Sequence, residues 1–417
     1  MDAKFLGVGL SAVVKRVEDL KPDVVGITTM TEEFRSASLV ARRVKELDPQ
    51  VCCIVGGPHP TALPTQTLLD ERSFDIAVCG EGEHTLYELL TVLQAHNGLN
   101  EVRGIAYRTG DEAVLTGPRP WIADLDSLPF PAWELFGANE KTRFLPMLSG
   151  RGCPFQCIFC MRVSGNKPRF RSIENVLLEV QGLIDKFKCR YLYFCDETFT
   201  MDKKRLHELC DGFIEAGYNR VLRWRCETRV STVDEGLLNK MKEAGCDTVG
   251  YGVESGNDAI LKAIKKGITK AQAMNAVRWA KKAGLTVQTF FILGHPFETK
   301  DTANDTIRFA RELDPDTAEF SIMTPLPGTE VAAMAERGEG GLRLLSKNYS
   351  DYSLQLSNSV ELESLPIQEL KRLQLKAYMS FYLRPRKFLT LFRVINVKRL
   401  PRVLPKYLGR ILFGHRR

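Results

Sequence analysis

Residues 149–162 read SGRGCPFQCIFCMR and place Cys153, Cys157 and Cys160 within eight positions. Gaps of three and two residues, with no fourth cysteine nearby, are the feature to explain. A structural zinc ion wants four closed ligands, usually from two paired sets. Here the second set is missing, and none of the six histidines lies close in sequence. A [4Fe–4S] cluster is ordinarily held by four cysteines. Three would leave one iron without a protein ligand and open to another molecule. Zinc stays an alternative at this point.

The segment feeding this loop, RFLPMLSG (143–150), suits a buried strand. Five more follow: RYLYFCDE (190–197), VLRWRCET (221–228), CDTVGYGVES (246–255), LTVQTFFILG (285–294) and TAEFSIMTPL (317–326). Helical patterns separate them, as in VLLEVQGLIDKF (176–187) and AQAMNAVRWAKKAG (271–284). Strands alternating with helices predict a parallel sheet with helices on its outside. Six units predict an open, partial (β/α)6 TIM-like barrel, whose chemistry belongs at the C-terminal strand ends. The three-cysteine loop begins at such an end.

CPFQCIFC, with Gly152 before its first cysteine and Phe159 before its last, resembles the cysteine loop of the radical S-adenosylmethionine (radical SAM) superfamily. Later strand ends agree in order: CDETFT (195–200), WRCETRV (224–230), GVESG (252–256), ILGHPFET (292–299) and TPLPGTE (324–330). The resemblance implies a [4Fe–4S] cluster on Cys153, Cys157 and Cys160. S-adenosylmethionine (SAM) would chelate the open iron and be cleaved to a 5′-deoxyadenosyl radical by an electron from an external flavodoxin- or ferredoxin-type donor. It further implies SAM contacts from Phe159, Asp196, Glu197, Glu254, Ser255, Gly294 and Pro296. Plainer readings stand beside these. Asp196, Thr198 or Thr200 could cap the next helix, and Gly294 and Pro296 could make a simple turn. Glu227 and Arg229 are placed to point into the barrel.

Upstream, DVVGITTM (23–30), VCCIVGG (51–57) and FDIAVCGEGE (74–83) alternate with helical patterns, one of them SASLVARRVKELD with Leu39, Val40, Val44 and Leu47 on one face. GIAYRTGDEAVLTG (104–117) reads as a hairpin turning at Thr109–Glu112, and SLPFPAWELFG (127–137) as a Pro-containing linker. PDVVGITTMT, VGGPHPTALP and CGEGE resemble the later half of a flavodoxin-like cobalamin (B12)-binding domain. With the barrel they resemble the cobalamin-binding branch of the superfamily, across roughly residues 1–345. The resemblance implies corrin contacts from Thr28, Thr29, Gly57, His59, Gly80 and Gly82. For GGPHP the plainer reading is a tight turn with His59 exposed on it. No Asp-x-His-x-x-Gly motif is present, so no lower axial histidine is assigned. Only three of five flavodoxin-like strands are legible, so the front domain reads as N-terminally truncated, with DVVGIT as an exposed apolar edge. The expected regions are 1–120 (partial B12-type domain), 121–140 (linker), 141–345 (barrel) and 346–417 (helical region with a basic tail).

The 417-residue chain is 44% hydrophobic and carries a formal charge of +7. From Arg384 onward there are eleven Lys and Arg and no Asp or Glu, so the rest of the chain is acidic by four. Phe388, Leu389, Leu391, Phe392 and Ile395 sit at helix-like spacing among these arginines, which suits an anionic membrane surface. Plain packing on the barrel is the alternative, and nucleic acid the weaker one. The N-terminus lacks the basic–apolar–small order of a signal peptide, and no apolar run reaches membrane-spanning length. The expectation is a cytoplasmic enzyme, peripheral at the inner membrane face through its tail. The family resemblance implies methyl transfer to an unactivated carbon, or alternatively radical oxidation or cyclisation of a tetrapyrrole or lipid. From another class, a non-catalytic or zinc-stabilised binding protein is the rival. The remaining cysteines, Cys52, Cys53, Cys79, Cys189, Cys195, Cys210, Cys226 and Cys246, read as buried core thiols.

Overall fold

The computed structural model describes residues 3–385 and 387, apart from Leu354. The front sheet runs in the order β1 (Val24–Thr28), β2 (Cys52–Gly56), β3 (Ile76–Val78), β4 (Ile105–Thr109) and β5 (Glu112–Leu115). The first three strands are parallel and the last two turn back antiparallel, with the hairpin at Thr109–Glu112 as expected. Among the described residues β1 pairs only with β2, leaving Gly26 and Thr28 exposed on an edge.

Helix Phe34–Leu47 buries Phe34, Ala37, Ser38, Ala41 and Val44. This corrects the expected face, because Leu39 and Leu47 are exposed. Small residues at the 3–4 spacing let the helix approach the sheet closely, so its alanines, and not its largest apolar side chains, mark the inner face.

The second sheet carries all six expected strands: β6 (Phe144–Met147), then, after a two-residue ribbon β7 (Gly150–Arg151) and β8 (Arg169–Phe170), β9 (Tyr191–Phe194), β10 (Arg223–Thr228), β11 (Cys246–Glu254), β12 (Thr286–Leu293) and β13 (Thr317–Ile322). The order is β13-β12-β11-β10-β9-β6, parallel throughout and left open. The long connecting helices start on side-chain caps. Ser172 accepts from Asn175 N, Asp202 from Arg205 N, and Thr269 and Thr299 form capping boxes. The helix after β9 is therefore capped by Asp202, and Asp196, Thr198 and Thr200 are left for other work.

Strand alternation separates two faces. Trp224, Cys226, Val287, Phe291, Phe320 and their neighbours are buried under the helices. Tyr191, Tyr193, Arg225, Glu227, Gln288, Phe290, Glu319 and Ser321 alternate with them and stay half-open, so the concave face is polar and aromatic. The free edge of β13 is covered by helix Ile367–Tyr382. Tyr378 and Tyr382 accept from Phe320 N and Ala318 N, and Gln374 and Tyr382 donate to Phe320 O and Ala318 O. That placement at i, i+4 and i+8 answers the unpaired backbone of an edge strand. A small antiparallel pair, β14 (Leu342–Leu344) and β15 (Val360–Leu362), precedes this helix. The apolar segment read at Phe388–Ile395 lies outside the described residues.

Cys195 departs from the core reading. It is exposed at the end of β9, while Cys53, Cys189, Cys210, Cys226 and Cys246 are buried, and Cys52 and Cys79 half-buried.

Candidate active site

The three-cysteine loop leaves the end of β6 and is closed at its base by the β7/β8 ribbon, in which Gly150 faces Phe170 and Arg151 faces Arg169. Gly152 turns the chain at φ +90, where a Cβ would run into the Lys167 carbonyl, so only glycine fits before Cys153. Cys153 N then donates to Gly165 O at 3.2 Å.

Asp196, at the end of β9, is buried. Its two oxygens accept from Ser149 N (2.9 Å) and Ser149 Oγ (2.7 Å). Burial pushes this carboxyl up to about 6, with the Ser149 bonds and Arg205 opposing. Its observed work is to hold the first residue of the loop. Glu197 faces the loop from the other side. Burial raises its carboxyl, and Gly152 N–H and Ser164 ease it. Arg229, beyond β10, is buried and donates to Cys157 Sγ at 3.4 Å and to the Lys266 carbonyl, with its guanidinium 3.6 Å from the Phe155 ring centre.

Glu254 ends β11 at φ +70, a left-handed conformation that is a strain for a residue with a Cβ. It forms a buried ion pair with Lys266 at 2.7 Å, both side chains 8% exposed or less. Gly252 opens the room, since a Cβ there would collide with both partners. The Lys266 ammonium lies 5.8 Å from the Phe159 ring, whose centroid is 6.1 Å from that of His295. Cys160 is exposed on the same side. The protein packed around it pushes its thiol up to about 12, with Cys157 adding to the shift and Lys266 opposing it. Phe159, Cys160, Glu254 and Lys266 therefore meet at one point of the mouth.

Ser255 is not among them. Its hydroxyl is fully buried and engaged by Thr306 Oγ1 (3.1 Å) and Asn257 N (3.2 Å). Gly294, Pro296 and Glu298 build the turn after β12. Glu298 Oε2 accepts from Gly294 N (2.5 Å) and His295 N (3.3 Å), while Oε1 has no partner among the described residues. Burial lifts Glu298 to about 8 and depresses His295 to about 4. Arg229 was legible as a strand-end cation. Lys266, His295 and Glu298 carry no sequence signal beyond their neighbourhood to GVESG and the Gly-His-Pro turn.

On the front sheet the corrin candidates gather at the ends of β1–β3. Gly57 sits at φ +99 against Thr28 and Thr29, and His59 N donates to Thr29 O (3.3 Å). Gly80 N donates to Thr61 Oγ1 at 3.0 Å, and Gly82 opens the next helix. His59 is not exposed on the turn. It is fully buried, bonded to Thr31 Oγ1 at 3.2 Å, tilted against Phe34 at 4.2 Å and edge-to-face with Tyr349 at 4.7 Å, and burial depresses it to about 4. Enclosure by aromatic rings explains why a Pro-flanked histidine left the surface here.

The donor set fits a cluster. Three thiols share one loop, with the Arg229 and Lys266 cations beside Cys157 and Cys160 to offset thiolate charge. No three His, Cys, Asp or Glu side chains among the described residues converge on a single ion. Thiolates that each hold a different iron of one cluster have no need to. The strand ends of β1–β3 present the glycines Gly57, Gly80 and Gly82, which leave room for a flat ligand, and the histidine among these loops, His59, is buried and engaged by Thr31.

Comparison with known proteins agrees with this geometry. A model of the radical SAM superfamily matches residues 147–310, and one of the B12 binding domain matches residues 1–90. An uncharacterized methyltransferase of Pyrococcus horikoshii is 35% identical over 90% of this chain and 82% of its own length. An anaerobic magnesium-protoporphyrin IX monomethyl ester cyclase of Cereibacter sphaeroides is 30% identical over 79% of this chain, which spans 56% of that enzyme. The solved radical SAM methyltransferase TsrM of Kitasatospora setae, with cobalamin and a [4Fe–4S] cluster bound, has the same fold. Its TM-score is 0.72 at 17% identity, covering 88% of this chain and 82% of that one. The chain belongs to the radical SAM superfamily, in the branch that carries a B12-binding domain, and it is an enzyme of that class.

Proposed function

We propose that this enzyme transfers a methyl group to an unactivated carbon, with a [4Fe–4S] cluster on Cys153, Cys157 and Cys160, SAM at the barrel mouth, and cobalamin on the front sheet. The observation that carries this reading is the convergence of Phe159, Cys160, Glu254 and Lys266 at the mouth, on the loop to which the front sheet is tied. When bound, the cluster supplies the electron that cleaves SAM, and the corrin supplies the methyl group. Residues 1–120 would hold the corrin, 121–140 link, 141–345 carry the cluster, and 346–417 form the C-terminal region.

Asp196 fixes Ser149 so that the loop leaves β6 in one direction. Arg229 places a guanidinium against Cys157 Sγ and holds that side of the loop to Lys266. Glu254 and Lys266 present opposite charges suited to the amino and carboxylate groups of a methionyl moiety. Phe159 keeps water from that pair, and the half-open face of Tyr193, Arg225, Glu227 and Gln288 receives a small-molecule substrate.

Similarity to the uncharacterized methyltransferase of Pyrococcus horikoshii supports methyl transfer. The cyclase relative supports a second reading, radical oxidation or ring closure on a tetrapyrrole or lipid. Electrons come from an external flavodoxin- or ferredoxin-type donor in either reading. No helix among the described residues is long and apolar enough to cross a membrane. A peripheral contact is supported by Leu375, Met379 and Leu383, a stripe on helix Ile367–Tyr382 and its C-cap, with Met379 and Leu383 50% and 61% exposed and Arg372 and Lys376 alongside. Binding to vesicles containing phosphatidylglycerol, lost in phosphatidylcholine vesicles, is the expected result.

The test is anaerobic reconstitution with iron, sulfide and hydroxocobalamin, desalting, and an absorption spectrum, followed by turnover with methyl-labelled SAM. Retained corrin bands beside iron–sulfur absorption, with both 5′-deoxyadenosine and S-adenosylhomocysteine formed, are expected. 5′-Deoxyadenosine without S-adenosylhomocysteine would move the reading to the oxidation or cyclisation alternative.

A further inference from the structure

We propose that Glu81 is a positioning residue that couples occupancy of the front sheet's strand-end loops to the frame of the three-cysteine loop. This rests on the reading that a corrin occupies those loops.

The ribbon that closes the cysteine loop sets Arg151 directly across from Arg169. Like charges facing each other across an antiparallel pair repel. Glu81, from the turn after β3, is the anion placed between them. It accepts from Arg151 Nη1 at 2.9 Å and from Arg169 Nη1 at 3.0 and 2.8 Å. Ile122 N adds a bond at 2.7 Å from the linker, and Trp121 beside it packs on Gly165 of the cysteine loop. The Glu81 side chain is 7% exposed and the two arginines 18% and 12%, so solvent screens the trio weakly. Glu83 takes the second Arg151 nitrogen at 2.6 Å from a more exposed position.

Glu81 also stands at the N-cap of helix Gly82–Gln94, and its side chain makes no capping bond there. A residue that could stabilise its own helix is committed instead to the neighbouring unit. Gly80, Glu81 and Gly82 share one turn. A ligand that settles the two glycines settles the carboxylate between them. That carboxylate sets Arg151, two residues before Cys153. Removing its charge leaves the Arg169 guanidinium without its carboxylate and Arg151 with the more exposed Glu83 alone, the two facing each other at the base of the cysteine loop.

The experiment compares full-length wild type, E81Q, E83Q and the double variant E81Q/R151Q after anaerobic reconstitution. Bound corrin is read from the absorption spectrum after desalting. Iron loss to a bathophenanthroline chelator is then timed with and without hydroxocobalamin. Wild type and E83Q are expected to retain iron about fivefold longer or more with the corrin bound, the scale of an ordinary coupling. E81Q is expected to bind corrin, lose iron faster, and show no response to it. E81Q/R151Q removes the facing charges together. It is expected to recover iron retention without recovering the corrin response, and it carries the test if E81Q fails to reconstitute. A corrin response of wild-type size in E81Q or in the double variant overturns the proposal. So does a wild type that binds corrin without any change in iron loss. A wild type with no corrin bands overturns the cofactor reading, and the coupling with it, before any iron is counted.

Discussion

Replacing Lys266 with Met tests the ion pair at the barrel mouth. At 2.7 Å and an effective dielectric of ~20, the Coulomb attraction between unit charges is about 6 kcal/mol. Taking both ions out of water opposes it by several kcal/mol each, so the intact pair is near break-even. The single variants are not. K266M leaves the Glu254 carboxylate buried above Gly252 with its cation gone, a loss of about 3–5 kcal/mol. At roughly 2–4 °C per kcal/mol for a unit of this size, thermal unfolding of the reconstituted protein should fall by roughly 6–20 °C. E254Q should fall by a similar amount, because it strands the ammonium. K266M/E254Q should return to within a few degrees of wild type. If the pair also meets the methionyl group, the double variant regains stability without regaining SAM affinity in equilibrium dialysis. Two results would refute the reasoning: a double variant as unstable as the sum of the singles, or one that binds SAM as wild type does.

Alanine at Cys153, Cys157 or Cys160 should each abolish the broad iron–sulfur absorption after reconstitution, while Cys195→Ala should retain it, as iron and sulfide assay will report. Burial lifts Glu298 to about 8 and lowers His295 to about 4. The raised carboxyl gives stability that is full below its ordinary 4.5 and lost as pH rises through 8. The lowered imidazole gives stability that is present above 6.5 and lost as pH falls through 4. Between pH 6.5 and 8 only Glu298 acts, so wild-type thermal stability should decline there. E298Q, which mimics the protonated acid, should be flat, and equal slopes in the two proteins would count against the assignment. D196N keeps one acceptor for Ser149 and turns a donor toward the other bond, for a loss of about 1–3 kcal/mol. Faster amide exchange confined to residues 149–153 is the expected signature.

Much of this enzyme was legible in local pattern. Strand and helix periods depend on neighbours a few residues apart, and all six barrel strands and the Thr109–Glu112 hairpin lie where those periods put them. The cysteine spacing is likewise local, because a single loop supplies all three thiols. What the periods could not decide is which way a side chain faces once elements pack. His59 reads as an exposed turn residue, yet Tyr349, almost three hundred positions away, closes over it. Leu39 and Leu47 read as core, yet the sheet took the alanines of the same helix. Asp196 and Ser255 read as cofactor contacts, and each is already bonded to a loop or helix that only the folded barrel brings near. Lys266 meets Glu254 because β11 bulges beside Gly252, and Glu81 meets two arginines from another unit. The sequence by itself determined the elements, their order and the gathering of three cysteines on one loop, since those rest on short-range stereochemistry and spacing. Only the tertiary structure decided the charge pairs that hold the site, since an ion pair is specified by distance in space and leaves no period in the chain.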